Sequence, residues 1–131
     1  IDGSDPVGPA GGLFERTFIQ ACYDGLAERG VLTAQTESPW IKAYHQSMKN
    51  VFSSLDAIYP ISRMYLASIP LYPAGMWSFA CAGKGADPLS DDTLNRVRDG
   101  LKNFGDKLRY YNASVHEGCF SLPNFVREII K

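Results

Sequence analysis

Cysteine is sparse in this sequence and net charge nearly absent, and each shortage removes a class of function. Cys22, Cys81 and Cys119 are odd in number, far apart and free of C-x-x-C spacing. That argues against a disulfide framework or a zinc knuckle, and all three are expected to be buried small hydrophobes. Thirteen Lys and Arg against fourteen Asp and Glu leave a formal charge of -1, and no segment clusters basic residues with aromatics. Nucleic acid is therefore not an expected partner. No apolar run approaches the length that spans a bilayer, and the N-terminus has neither the basic region nor the apolar stretch of a secretion signal, so no membrane partner and a cytoplasmic location are expected. A G-x-S-x-G turn for a nucleophilic serine is missing, no cysteine has an activating context, and there is no internal repeat. Also missing is the G-x-G-x-x-G turn that a nucleotide-binding α/β domain carries after its first strand.

What is present is a composition for folding: 45% hydrophobic, 12% aromatic and 21% charged residues over 131 positions, enough for one core. Ile1 leads at once into the turn-rich run D-G-S-D-P-V-G-P-A-G-G, with no element before it, and the front half of a larger sheet is expected to be absent. Leu13, Phe14, Phe18, Ala21, Cys22 and Leu26 recur at steps of three and four, which predicts a helix over 13–29 closed by Gly30. A strand follows over 31–36. Ser38 and Pro39 form an N-cap and first-turn pair for a second helix carrying Trp40, Tyr44, Met48, Val51 and Phe52. Two β-rich runs, 58–67 and 76–82, flank S-I-P-L-Y-P-A-G and predict adjacent antiparallel strands. Ser90 or Asp91 caps a third helix to 104 with Val97 and Leu101 inward, and Pro123 opens a last short helix ending at Ile130. The fold class is α/β, with helices packed on a sheet that has an antiparallel strand pair near one edge.

Three segments carry candidate chemistry. Asp2 and Asp5 flank a Gly-Ser turn beyond a strand end, where open α/β sheets bind ligands. Two neighbouring carboxylates attract a cation and raise one another's proton affinity, which suits a base; the alternative is that both cap turns. Tyr72 sits in a loop stiffened by Pro70 and Pro73, where its hydroxyl or ring face can meet an amine, or where it and Trp77 are core aromatics, the reading that fits Trp77 better. Gln35 and Glu37 stand at a strand end, either facing a ligand at the sheet's rim or solvated on a loop. His45 and His116 lack partners at metal-ligand spacing and are read as structural, with no metal site expected. Asn112, Ala113 and Ser114 spell a glycosylation sequon, which short triplets do by chance.

Taken in order, D-G-S-D-P-V-G-P-A with L-F, A-Q-T-E-S-P-W, I-P-L-Y-P-A-G-M-W and Y-Y-N-A-S-V-H-E-G-C-F-S-L-P-N-F resemble the spermidine synthase family of polyamine aminopropyltransferases over nearly the whole chain. The resemblance implies that residues 1–131 are the C-terminal portion of that family's catalytic domain, part of a Rossmann-like, methyltransferase-type sheet. It implies transfer of an aminopropyl group from decarboxylated S-adenosylmethionine to putrescine, with no metal or redox cofactor. Asp2 falls on the catalytic base, Asp5, Gln35 and Tyr72 on amine-binding positions, and Pro9, Ala10 and Leu13 on the apolar wall beside the adenine. The family's Gly-rich nucleotide-binding half and small β-domain have no counterpart here. The resemblance therefore makes that N-terminal half a partner, makes the full-length enzyme a homo-oligomer, and leads to the expectation that these residues alone are inactive. Gly3 and Leu71 depart from the family's usual Ser or Thr and Thr. Two alternatives stand beside this reading: a polyamine N-methyltransferase using ordinary S-adenosylmethionine, and a non-catalytic polyamine-binding or assembly module.

Overall fold

The structure, a computed structural model, describes residues 1–2, 8–72, 74–104 and 107–131, with the backbone alone at 8–10. Its centre is a three-stranded sheet of β1 (Val31–Gln35), β2 (Ile61–Ser68) and β3 (Met76–Gly83) in the order β1-β3-β2. The expected antiparallel pair is β2 with β3, in a register that sets Tyr65 opposite Phe79. β1 also runs antiparallel to β3, with Gln35 opposite Phe79. Ile1 extends the sheet past β1 in the parallel manner: its backbone nitrogen donates to Thr33 O at 2.6 Å, and its carbonyl accepts from Gln35 N at 3.0 Å. β2 starts at Ile61 rather than 58, because Tyr59 N still donates to Leu55 O and Pro60 has no N–H for a ladder.

Alternation on the strands separates two faces. One presents Ala34, Ala80, Ala82 and Met64 to the helices, and the small alanines let a helix approach closely. Against them α2 (His45–Ile58) buries Met48, Val51, Phe52 and Leu55, flanked by Ile19 of α1 (Arg16–Gly25) and Val126 and Ile129 of α5 (Asn124–Ile129). Each large side chain so buried contributes about 1.5–3 kcal/mol of transfer free energy.

Several helix boundaries differ from those the sequence predicts. The first helix begins after a 3-10 turn, Gly8–Phe14, in a glycine-rich stretch that resists α-helix, and it ends at Gly25, where Leu26 turns extended. Gly30 closes a separate turn by donating to Ala27 O. Ser38 does not cap α2. Its hydroxyl donates to Met76 O at 3.2 Å, the chain turns through Ile41 N to Ser38 O, and a 3-10 turn (Lys42–Tyr44) intervenes. Trp40 thereby leaves the helix and lies 47% exposed, edge-on to Phe125.

Ser90 caps α3 (Asp91–Lys102), its Oγ accepting from Thr93 N. The helix stops short of 104 and buries no residue: Val97 and Leu101 are half-buried, because α3 packs on α4 (Ala113–Gly118) rather than on the sheet. Asn112 of the sequon caps α4, accepting from Val115 N at 2.9 Å. Among the cysteines only Cys81 is buried. Cys22 lies half-exposed on α1, and Cys119, half-buried past α4, donates to His116 O. No helix among the described residues is long and apolar enough to cross a membrane.

Candidate functional site

The face of the sheet turned away from α2 carries the cross-strand row Gln35, Phe79, Tyr65. Above it opens a cleft of about 340 Å³, lined by Ile1, Asp2, Thr33, Ala34, Gln35, Tyr65, Ile69, Tyr72 and Phe79. It brings together Asp2, Gln35 and Tyr72, which lie 70 positions apart at the extremes. Ile1's bonds to β1 hold the exposed Asp2 at the rim. The chain just beyond β1 is fixed to β3: Thr36 N and Oγ1 donate to Ser78 O, and Ser78 N donates to Glu37 O at 3.1 Å. That anchoring sets where Gln35 stands.

Tyr72 is held by a succession of turns. Its N–H donates to Ile69 O, Gly75 N donates back to Tyr72 O, and Ile69 N donates to Gly75 O at 2.6 Å. Gly75 adopts φ 70°, a left-handed conformation that a side chain would strain. The Tyr72 ring stands edge-on to Trp77 at 4.5 Å, and its hydroxyl donates to Gln35 Oε1 at 3.4 Å, a long contact. Trp77 is 7% exposed and belongs to the core, as expected. Leu71, at the loop's tip, is 94% exposed.

The remaining expected site residues distribute differently. Asp5 lies outside the described residues, as do the side chains of Pro9 and Ala10, whose backbone forms part of the 3-10 turn Gly8–Phe14. Leu13 is half-buried on that turn and is not among the residues lining the cleft. Glu37 is neither at the cleft nor on a solvated loop. It is 2% exposed, because residues 36–39 all fold inward beside β3. His45 Nε2 donates to Pro39 O, and His116 bridges Pro88 O and the Tyr111 hydroxyl, so both histidines act as structural ties. No group of three His, Cys, Asp or Glu among the described residues is placed to hold a metal ion.

Sequence reasoning missed Tyr65, Phe79 and Thr33, whereas Ile69 opens the loop segment it singled out. The signal was present in the alternation of β3, where Trp77, Phe79 and Cys81 interleave with the smaller Ser78, Ala80 and Ala82, so that the large residues share the face away from α2. Tyr65 and Phe79 stack at 5.1 Å with ring planes 17° apart, and burial pushes the Tyr65 phenol above its ordinary pKa, keeping it neutral. Among the described residues the cleft thus offers the Asp2 carboxylate, the Gln35 amide, the hydroxyls of Thr33, Tyr65 and Tyr72, and the rings of Tyr65, Tyr72 and Phe79. No Lys, Arg or His stands among its described lining residues. Such a lining attracts a slim cation with an apolar body.

A larger hollow of about 520 Å³ lies between Arg29, Ala86, Thr93, Arg96 and Val97. Its Arg29 is paired with Asp92 at 2.7 Å, and among the described residues no acid, base or nucleophile converges there with a partner suited to catalysis.

A family model described as the spermine/spermidine synthase domain matches residues 1–91. The polyamine aminopropyltransferase of Caldicellulosiruptor saccharolyticus is 48% identical over the whole of this chain and 44% of its own length. That of Clostridium perfringens is 41% identical over the same shares. Among solved structures, a spermidine synthase in complex with the transition-state analogue AdoDATO superposes with a TM-score of 0.84 at 40% identity, covering 98% of this chain and 42% of that one. The spermidine synthase from Thermotoga maritima gives 0.77 at 41% identity over 90% and 39%. The chain spans less than half the length of each.

Proposed function

The chain belongs to the spermine/spermidine synthase family, and on that premise we propose that it supplies the amine side and the base of an enzyme transferring an aminopropyl group from decarboxylated S-adenosylmethionine to putrescine. The observation that carries the proposal is the cleft in which Asp2, Gln35 and Tyr72 meet.

An aliphatic amine is mostly protonated near neutral pH and in that form has no lone pair to offer. Asp2 attracts the ammonium and accepts its proton. The freed nitrogen then attacks the propyl carbon attached to the sulfonium, forming a C–N bond as the C–S bond breaks and its electron pair returns to sulfur. Spermidine and methylthioadenosine result. The Gln35 oxygen and the Tyr72 hydroxyl orient the nitrogen, and rate follows from holding nitrogen and carbon in line. Displacement of so good a leaving group calls for no metal or redox cofactor in this scheme.

By the same resemblance, Asp5 adds a second negative charge for the amine, and Pro9, Ala10 and Leu13 form the wall beside the donor's adenine. The matched relatives are more than twice as long, which supports assigning the donor's nucleotide to an N-terminal half that these residues lack. In this proposal residues 1–131 alone do not turn over, and the complete enzyme is a cytoplasmic homo-oligomer.

The test is to incubate the full-length protein carrying these residues with putrescine and either donor, and to identify the product by mass. Spermidine supports the proposal. Methylated putrescine would assign an N-methyltransferase, and amine binding without turnover would assign a non-catalytic module.

A further inference from the structure

We infer that the stacked Tyr65–Phe79 pair is the wall that selects the amine by length and slimness, and that Phe120, outside the cleft, positions it; the inference rests on the amine reading given above. Register is the starting point. Gln35, Phe79 and Tyr65 are direct cross-strand neighbours, so the cleft changes from polar to aromatic in two strand spacings, about 10 Å. Asp2, Gln35 and Tyr72 gather at the polar end. From there an unbranched diamine, with about 6 Å between the nitrogens of a four-carbon chain by standard bond lengths, lies with its methylenes and far ammonium against the stacked pair, on the side of Phe79 turned from Tyr65.

The described lining on that side offers no carboxylate to the far nitrogen. Discrimination there rests on ring faces, whose attraction for a cation depends on close, flat approach. A longer chain overruns the stacked pair, and a branched one cannot pack closely against Phe79, whose ring is already stacked on Tyr65 on one side.

The pair is not free to move. Phe120 packs on Tyr65 with ring centres 5.5 Å apart, and His116 stands edge-on to Phe120 at 5.8 Å. His116 is itself fixed, since its Nε2–H donates to Pro88 O at 2.8 Å and its Nδ1 meets the Tyr111 hydroxyl at 2.6 Å. Leu66 N donates to Cys119 O at 2.9 Å, tying β2 to the segment that carries Phe120. The C-terminal run Y-Y-N-A-S-V-H-E-G-C-F, which contributes no described residue to the cleft, thus reaches it through one ring.

The experiment measures kcat and KM of the full-length enzyme for putrescine, the five-carbon diamine cadaverine and an N-alkylated putrescine, in wild type, Phe79→Leu, Phe79→Met, Phe120→Leu and Phe120→Tyr. Loss of the flat ring at 79 is expected to raise KM for putrescine about 2- to 30-fold, with the effect on KM exceeding that on kcat. It is also expected to lower the putrescine-to-cadaverine ratio of kcat/KM. Phe120→Leu shifts the ratio the same way by less, and Phe120→Tyr, which keeps the ring, restores it. Should Phe79→Leu fail to fold, the volume-conserving Phe79→Met and the Phe120 pair carry the test. A uniform fall for all three amines, or an unchanged ratio in folded variants, overturns the inference while leaving the aminopropyl transfer standing. A wild type that transfers to no amine overturns both.

Discussion

Replacing Tyr72 by phenylalanine removes one oxygen from the cleft and leaves every ring contact in place. The hydroxyl's described bond, to Gln35 Oε1 at 3.4 Å, is beyond the usual range for O–H donors, so its loss should cost the fold less than ~0.5 kcal/mol. The edge-on contact with Trp77 at 4.5 Å, worth about 0.5–1.5 kcal/mol beyond burial, survives. Tyr72→Ala forfeits that contact and the half-buried ring, for a loss of roughly 2–3 kcal/mol. Amine binding should show the opposite sensitivity: a hydroxyl bond to a charged group is worth about 1.5–3 kcal/mol. At the low end, suited to a group still open to solvent, that is about a tenfold rise in KM for putrescine. The assay pairs urea unfolding with steady-state kinetics of the full-length enzyme. An unfolded Tyr72→Phe would make Tyr72 a core residue, and an unchanged KM would mean that its hydroxyl never meets the amine.

Asn112→Ala should remove the α4 cap and cost about 1 kcal/mol; an unchanged urea midpoint would show that the cap contributes nothing. Tyr59, 4% exposed, has its phenol pushed up to about 12, first by burial and then by Cys22, Tyr23 and Asp24 nearby. Because the folded value lies above the unfolded one, this contribution is intact below pH 10 and is lost as pH rises towards 12. Tyr59→Phe should flatten the wild type's loss of stability across that window, and parallel curves would contradict the assignment. Asp87 is held below the ordinary carboxylate range by its two bonds from Arg63, helped by one from Leu89 N. Its stabilisation is therefore present above the unfolded value and lost as pH falls through the folded one. With the Arg63 side chain 38% exposed, solvent screening keeps the pair near ~1 kcal/mol. Asp87→Asn should lose that much at pH 7 and respond less to acid, as urea unfolding at pH 7 and pH 3 would reveal.

The sequence makes the sheet's antiparallel pair, the core face of α2 and the placement of Gln35 at a strand end and Tyr72 in the loop between strands readable, since each follows from local spacing or from an ordered run of motifs. It does not reveal that Ser38 spends its hydroxyl on Met76 O, because capping and cross-strand bonding draw on the same side chain and only the fold decides between them. Glu37 reads as a rim residue until the inward path of residues 36–39 is known. Tyr65 and Phe79 pass as ordinary strand aromatics. What makes them a wall is the register, which is a long-range property, with partners 14 positions apart meeting Gln35 from 44 positions away.

The central claim, that Asp2 takes the proton from the amine in this cleft, is tested most directly by the turnover of Asp2→Asn. The substitution keeps size at an exposed position, so folding should change little, while the KM for putrescine should rise because the charge that attracts the ammonium is gone. Loss of a general base costs about 10²–10⁴ in rate. The measurement is kcat of the full-length enzyme at saturating putrescine and decarboxylated S-adenosylmethionine. A fall in that range with the thermal midpoint preserved is the predicted result, and near-wild-type kcat would contradict it, placing the base elsewhere.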